Sequence, residues 1–434
     1  MVLLEFSKIK GYHNFIQWSH LVLVHTLEEF FSAEVKLEFN PIAQFKRNGI
    51  CDIENNPYRN VYIVPSDSVI LVCNVKSADS CYMLGISLTA KKIGETNNGK
   101  IYNIVAIAIS EALRIASISC FRKSIELFGE NLIVSTIAKY ASPTFNPSKI
   151  RYLLRYFNAL RSTTFEGKYF STGLILTISL FDYKKNADKG DVMYLTAAKK
   201  FSDNIDSRYW YLVDGHSSYY LSDAKKEIHY MFINKSTNQN YIDQVLLSNS
   251  LHHRDILFRT GNGRELSVIT SDGIEFIYQE NVWRYRNFHW LKKIIMEEVN
   301  LSEDVYNTLL YYVLYCSKND TSSIIWIPKN EAKISEYLKS SHSVSRKLFK
   351  IFDSQFDGLI KRLLASDGAT VICKDGTVKY YGCIIDMDAK QTKALKGTGE
   401  TAASKLASNG IAIKISQDGT IKIFLNNNYK IIKF

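Results

Sequence analysis

Apolar and polar positions change their spacing several times along the chain, and each change predicts a different kind of element. Short β-branched runs at residues 60–65 and 69–75 predict strands, whereas the apolar segment 104–121 has helical length and few breakers and predicts a core helix. A Pro- and Ser-containing break at 142–148 leads into a helical pattern over 149–160, and the first domain boundary is placed at that break. From 170 to 285 aromatic and β-branched runs alternate with Gly and Asp/Asn turns. Within that stretch, 264–269 and 274–278 flank Ser271-Asp272-Gly273, whose Asp-Gly step supplies the positive-φ residue of a tight hairpin. The region predicts a small antiparallel sheet.

The spacing turns helical over 288–316, where Ser302 followed by Glu303 and Asp304 has the chemistry of an N-cap with acids in the first turn. A helix over 305–316, a polar turn over 317–322 and a strand over 324–327 follow, so the second boundary is placed near Asn300. Beyond it the pattern predicts a helix at 346–365, strands at 369–373 and 378–385, a helix at 401–408, and strands at 411–416 and 421–424. Strands interleaved with helices imply layered α/β structure. The expected organisation is an α+β domain over 1–148 with a sensory or regulatory role, a strand-rich domain over 149–299, and an α/β domain over 300–434. The last has a mixed central sheet flanked by helices. No internal repeat or low-complexity stretch alters this outline.

Composition narrows the function classes. A length of 434 residues favours several domains, and 46% hydrophobic with 22% charged residues is ordinary for a folded chain. A net charge of +11 favours an anionic partner, but the lysines are scattered rather than clustered, as on a solvated surface, so no nucleic-acid partner is expected. Trp283, Tyr285, Phe288 and Trp290 have the chemistry of a base-stacking platform, and core packing is the preferred reading. The seven cysteines form no CxxC pair, the start lacks the features of a signal peptide, and no apolar run has the length of a membrane span. A cytoplasmic protein with reduced thiols and no membrane partner is expected. The histidines, including His252-His253, show no ligand spacing, and the G-x-S-x-G, Walker and H-E-x-x-H signatures are absent.

Two glycine loops carry the candidate chemistry. In Ser366-Asp367-Gly368-Ala369 an Asp suited to a metal precedes a Gly that admits a flat ligand, although Asp-Gly alone is also an ordinary turn. In Lys396-Gly397-Thr398-Gly399-Glu400-Thr401-Ala402-Ala403 a run of small residues opens a helix, where exposed N–H groups can seat phosphate. The same residues also make a plain helix start, with Thr398 or Gly399 as cap and Glu400 complementing the dipole.

Taken together, Asp367-Gly368-Ala369, Gly397-Thr398, the Ala402-Ala403 helix start and the closing strands with Asp418-Gly419 resemble the diadenylate cyclase domain over roughly residues 300–434. The resemblance implies an ATP-dependent nucleotidyltransferase that condenses two ATP into cyclic di-AMP with release of pyrophosphate, using Mg²⁺ or Mn²⁺. It implies homo-oligomers through face-to-face cyclase domains, and a sensor region in the remainder that meets an unidentified ligand or protein. Asp367, Thr398 and Glu400 are the implied catalytic residues. Gly368, Ala369, Gly397, Gly399, Thr401 and Ser416 are the implied nucleotide-binding residues, and Asp367 and Glu400 the implied metal ligands. The family's Arg-His-Arg is replaced by Gly399-Glu400-Thr401, which removes cations that pair with the triphosphate. The alternative function is a catalytically inactive, cyclase-like nucleotide-binding or scaffold protein.

Overall fold

The computed structural model describes residues 24–31, 35–41, 51–52, 61–64, 68–76, 81–89, 104, 107–108, 111, 125–141, 145–185, 190–201, 205–223, 227–234, 251–261, 265–279, 281–319, 321–343, 349–387, 397–425 and 430–433. The chain divides into two compact units, residues 1–240 with 244–287, and residues 288–434 with 241–243.

The N-terminal unit opens with α1 (Val24–Phe31) and an antiparallel sheet of β1 (Val35–Pro41), β2 (Cys51–Asp52), β3 (Val61–Val64), β4 (Ser68–Lys76) and β5 (Cys81–Thr89), in the order β1-β5-β4-β3-β2. Helices α2 (Ile125–Tyr140) and α3 (Pro147–Leu160) follow, then a small ribbon of β6 (Thr164–Phe165) and β7 (Lys168–Tyr169). An eight-stranded sheet completes the unit: β8 (Thr172–Leu176), β9 (Gly190–Lys200), β10 (Ser218–Ser222), β11 (Glu227–Asn234), β12 (Ile256–Gly261), β13 (Glu265–Thr270), β14 (Ile274–Gln279) and β15 (Val282–Asn287). Their order is β15-β14-β13-β12-β8-β10-β11-β9, with β8 and β10 parallel and the other pairs antiparallel. Short helices α4 (Leu180–Lys185) and α5 (Ser207–Trp210) lie in its connections.

Local chemistry explains these elements. Asn146 Oδ1 accepts from Ser148 N at 2.9 Å and Pro147 occupies the first helical turn, so α3 starts with both a cap and a fixed φ. Ile150, Leu153, Leu154, Phe157 and Leu160 recur at helical spacing and are buried in one core with Phe258 and Phe276 of the sheet. Gly273, with φ of +82°, turns the chain from β13 into β14, as the Asp-Gly step predicts. Of the segment 104–121, residues 104, 107, 108 and 111 are described; they are helical and buried on one face, and the rest lies outside the described residues. The expected cut at 148/149 falls inside α3. Ile137 and Ala138 of α2 share the core of Leu153 and Leu154, so both helices belong to one unit.

The C-terminal unit comprises α6 (Phe288–Val299), α7 (Glu303–Lys318), β16 (Ser323–Pro328), β17 (Leu338–His342), α8 (Asp357–Leu364), β18 (Ala369–Ile372), β19 (Val378–Ile385), α9 (Thr398–Leu406), β20 (Gly410–Ile415), β21 (Ile421–Leu425) and β22 (Lys430–Lys433). Its seven strands run β17-β19-β18-β16-β20-β21-β22 in a mixed sheet, with β16 and β18 parallel. Alternation along the strands separates two faces. Trp326, Ala369, Val371, Ala412 and Phe424 pack under Ala402, Ala403 and Leu406 of α9. Thr370, pointing the other way, donates to Leu363 O of α8 at 3.2 Å. Helices therefore flank both faces, in keeping with the α/β expectation.

Ser302 Oγ caps α7 through Val305 N at 3.4 Å. The unit begins earlier than Asn300, because β15 ends at Asn287, α6 starts at Phe288, and Leu291 and Ile295 of α6 are buried. The expected helix over 346–365 is shorter. Ile351 N donates to Gly376 O at 2.8 Å and Phe349 O accepts from Val378 N at 3.0 Å, so residues 349–351 pair with the β18–β19 turn and, among the described residues of that range, only Asp357–Leu364 is α-helical.

Candidate functional site

Strand register brings the two glycine loops to one end of the C-terminal sheet. Ile324, one residue into β16, is the partner of Ala369 on one side and of Lys414 on the other. The first loop enters β18 at Ala369. The second opens α9, whose first turn stands above Lys414, since a Cβ on Gly399 would lie 3.0 Å from Lys414 Cε. Ser416 follows β20 at the same end, where its N–H donates to Thr420 O at 2.9 Å to close the β20–β21 turn.

The first loop is shaped by packing. Gly368 has φ of +94°, and a Cβ there would stand 2.7 Å from Cys383 O, so glycine is required by the approach of β19. Ala369 is fully buried in the core beneath α9. Asp367 is exposed, and its carboxylate has no hydrogen-bond or ion-pair partner among the described residues.

The second loop is open. Gly397 occupies the cap position with φ of +145° and nothing within 4 Å of its Cβ direction, and no side chain among the described residues caps the helix. The first N–H groups of α9 are thereby left to solvent or a ligand. Thr398 is exposed, while Thr401 turns inward on the helix, its hydroxyl donating to Gly397 O at 3.0 Å. Glu400 forms an ion pair with Lys422 of β21.

Two residues that motif spacing did not single out, Lys414 and Lys422, supply the charge at this end. They are cross-strand partners on β20 and β21. Like charges opposite one another repel, and Glu400 relieves that repulsion at Lys422. Lys414 Nζ donates to Ser322 Oγ at 2.6 Å and to Ile415 O at 2.9 Å; burial lowers its pKa, opposed by Asp418 and Glu400. The signal for both was a lysine interrupting a β-branched strand on the face shared with Ala412 and Phe424. On α9 itself Lys405 is only 7% exposed, and its ammonium has no hydrogen-bond partner among the described residues. A buried cation without an acceptor is costly unless an anion joins it.

These residues fit a phosphate seat better than a protein-built metal centre. Of the two implied metal ligands Asp367 is free and Glu400 is held by Lys422; among the described residues no group of three or more His, Cys, Asp or Glu converges. Trp283 and Phe288 are buried, and Tyr285 packs on Phe30, Phe31 and Phe276, so these aromatics serve packing. The side chain of Trp290 lies outside the described residues. The chain matches no known protein-family profile and no curated protein. No described helix is long and apolar enough to cross a membrane.

Proposed function

We propose that the C-terminal unit is a nucleotide-binding domain of the diadenylate cyclase type that seats the phosphates of ATP on the first turn of α9. The observation that carries this reading is the uncapped Gly397-Thr398-Gly399 helix start above the cross-strand pair Lys414 and Lys422. Free N–H groups and nearby ammonium groups are what phosphate recognition uses. Cations carried on the strands here stand in for those that the family carries in the loop. Thr398 donates its hydroxyl to a phosphate oxygen, and Asp367 is free to hold the Mg²⁺ or Mn²⁺ that accompanies ATP.

In the catalytic form of this reading two loaded units meet face to face. The 3′-oxygen of one ATP bonds to the α-phosphorus of the other as pyrophosphate leaves and the hydroxyl proton passes to solvent. A second such event closes cyclic di-AMP. Catalysis then rests on positioning and charge stabilisation. A second reading, a nucleotide receptor that binds without turnover, draws on the Glu400–Lys422 ion pair, which places a carboxylate in the phosphate seat and occupies a cation there.

The test is to incubate the full chain with ATP or GTP and each metal, measuring pyrophosphate, cyclic dinucleotide and nucleotide-induced thermal shift together. Product with a shift supports the enzyme, and a shift without product supports the receptor. Neither product nor shift removes both.

A further inference from the structure

We infer that the N-terminal unit holds a small oxyanion, a carboxylate or a phosphate, on the guanidinium of Arg259. Arg259 lies on β12, on the sheet face opposite the main core, with Gly173 of β8 and Ser267 of β13 as its strand partners. It is 2% exposed, yet its Nε and Nη1 have no hydrogen-bond partner among the described residues. Its Nη2 alone is engaged, 3.0 Å from Nε2 and 3.2 Å from Nδ1 of His216. Arginine stays protonated in proteins and its charge cannot be discarded by titration, so a buried guanidinium demands an anionic acceptor.

Among the described residues no carboxylate accepts from Nε or Nη1. Ser267 turns its hydroxyl to Glu275 Oε1 at 2.5 Å, and Glu275 Oε2 lies 3.5 Å from Arg286 Nη1. Asp214 spends its Oδ1 on the backbone N–H groups of His216, Ser217 and Ser218 at 2.7–2.8 Å. Those bonds hold His216 against Arg259, and Tyr219 Oη donates to His216 O at 2.5 Å from below. His216 is half-buried and forms the solvent side of the cluster. The free Nε–H and Nη1–H groups form the planar donor set that carboxylates and phosphates accept.

The experiment titrates the full chain with inorganic phosphate and, separately, with succinate, reading melting temperature and heat. One of the two anions should raise the melting temperature saturably, and which one does so names the source. The response should persist in Lys414→Gln/Lys422→Gln, which weakens the phosphate seat of the C-terminal unit, and vanish when Arg259→Met is added to that variant. No response to either anion, or a response that survives Arg259→Met in that background, overturns the inference. If Arg259→Met fails to fold, His216→Ala decides: releasing Nη2 should change the anion affinity about tenfold, and unchanged affinity overturns the inference.

Discussion

Replacing Glu400 by Gln separates the two roles open to this residue, because it removes a charge and nearly keeps the shape. The Glu400 and Lys422 side chains are 23% and 19% exposed, so their ion pair is partly solvated and its loss should cost less than about 1 kcal/mol of stability. The effect on ATP should be larger and of opposite sign. A carboxylate in the first turn of α9 repels phosphate by roughly 1 kcal/mol, and Lys422 released toward the ligand adds about as much again. ATP affinity should therefore tighten about fivefold to thirtyfold, measured by calorimetric titration at low ionic strength, and the gain should shrink as salt is added. If Glu400→Gln instead weakens ATP binding and removes its dependence on Mg²⁺, Glu400 is a metal ligand and the phosphates do not rest on the bare helix start.

Gly368→Ala forces a side chain into a +94° backbone against Cys383 O, so chemical denaturation should show a loss of at least about 2 kcal/mol without any nucleotide present. Burial pushes the Asp255 carboxyl up to about 6, against hydrogen bonds from Tyr183 and Thr177 that favour its charged form. The folded state then holds this proton to higher pH than the unfolded chain. Its contribution to stability is full below about pH 4 and is lost as pH rises through about 6, by up to about 3 kcal/mol. Asp255→Asn should flatten that slope in melting curves taken from pH 4 to 7, and an unchanged slope would place the titration elsewhere. A chain starting at Phe288 should melt higher than one starting at Asn300, since Leu291 and Ile295 of α6 are buried; equal melting would make α6 dispensable.

The sequence was most legible where local chemistry decides the element. The Asp-Gly hairpin turn and the Ser302 cap of α7 each follow from one or two residues, whereas Pro147 reads as a break although, with Asn146 as cap, it starts α3. It was least legible where tertiary pairing overrides local pattern. β17 carries Lys339, Ser340 and Ser341 on an exposed edge, so no apolar alternation announces it. Residues 349–351 pair with a turn far along the chain instead of extending α8. At the candidate site the glycine loops were visible, but Lys414 and Lys422 were not, because only the β20–β21 register makes them neighbours. Likewise, no local pattern marks Arg259 as a cation with two unpartnered nitrogens.

Calorimetric titration of the full chain with Mg²⁺-ATP, beside Lys414→Gln/Lys422→Gln in one chain and Asp367→Ala in another, measures how much of the ATP affinity the α9 helix start above Lys414 and Lys422 carries. If the phosphates rest there, binding is saturable with one ATP per chain, weakens about tenfold or more in the double lysine variant, and loses only its metal-dependent part in Asp367→Ala. Binding that is absent from the native chain, or that survives unchanged without both lysines, would mean that they do not.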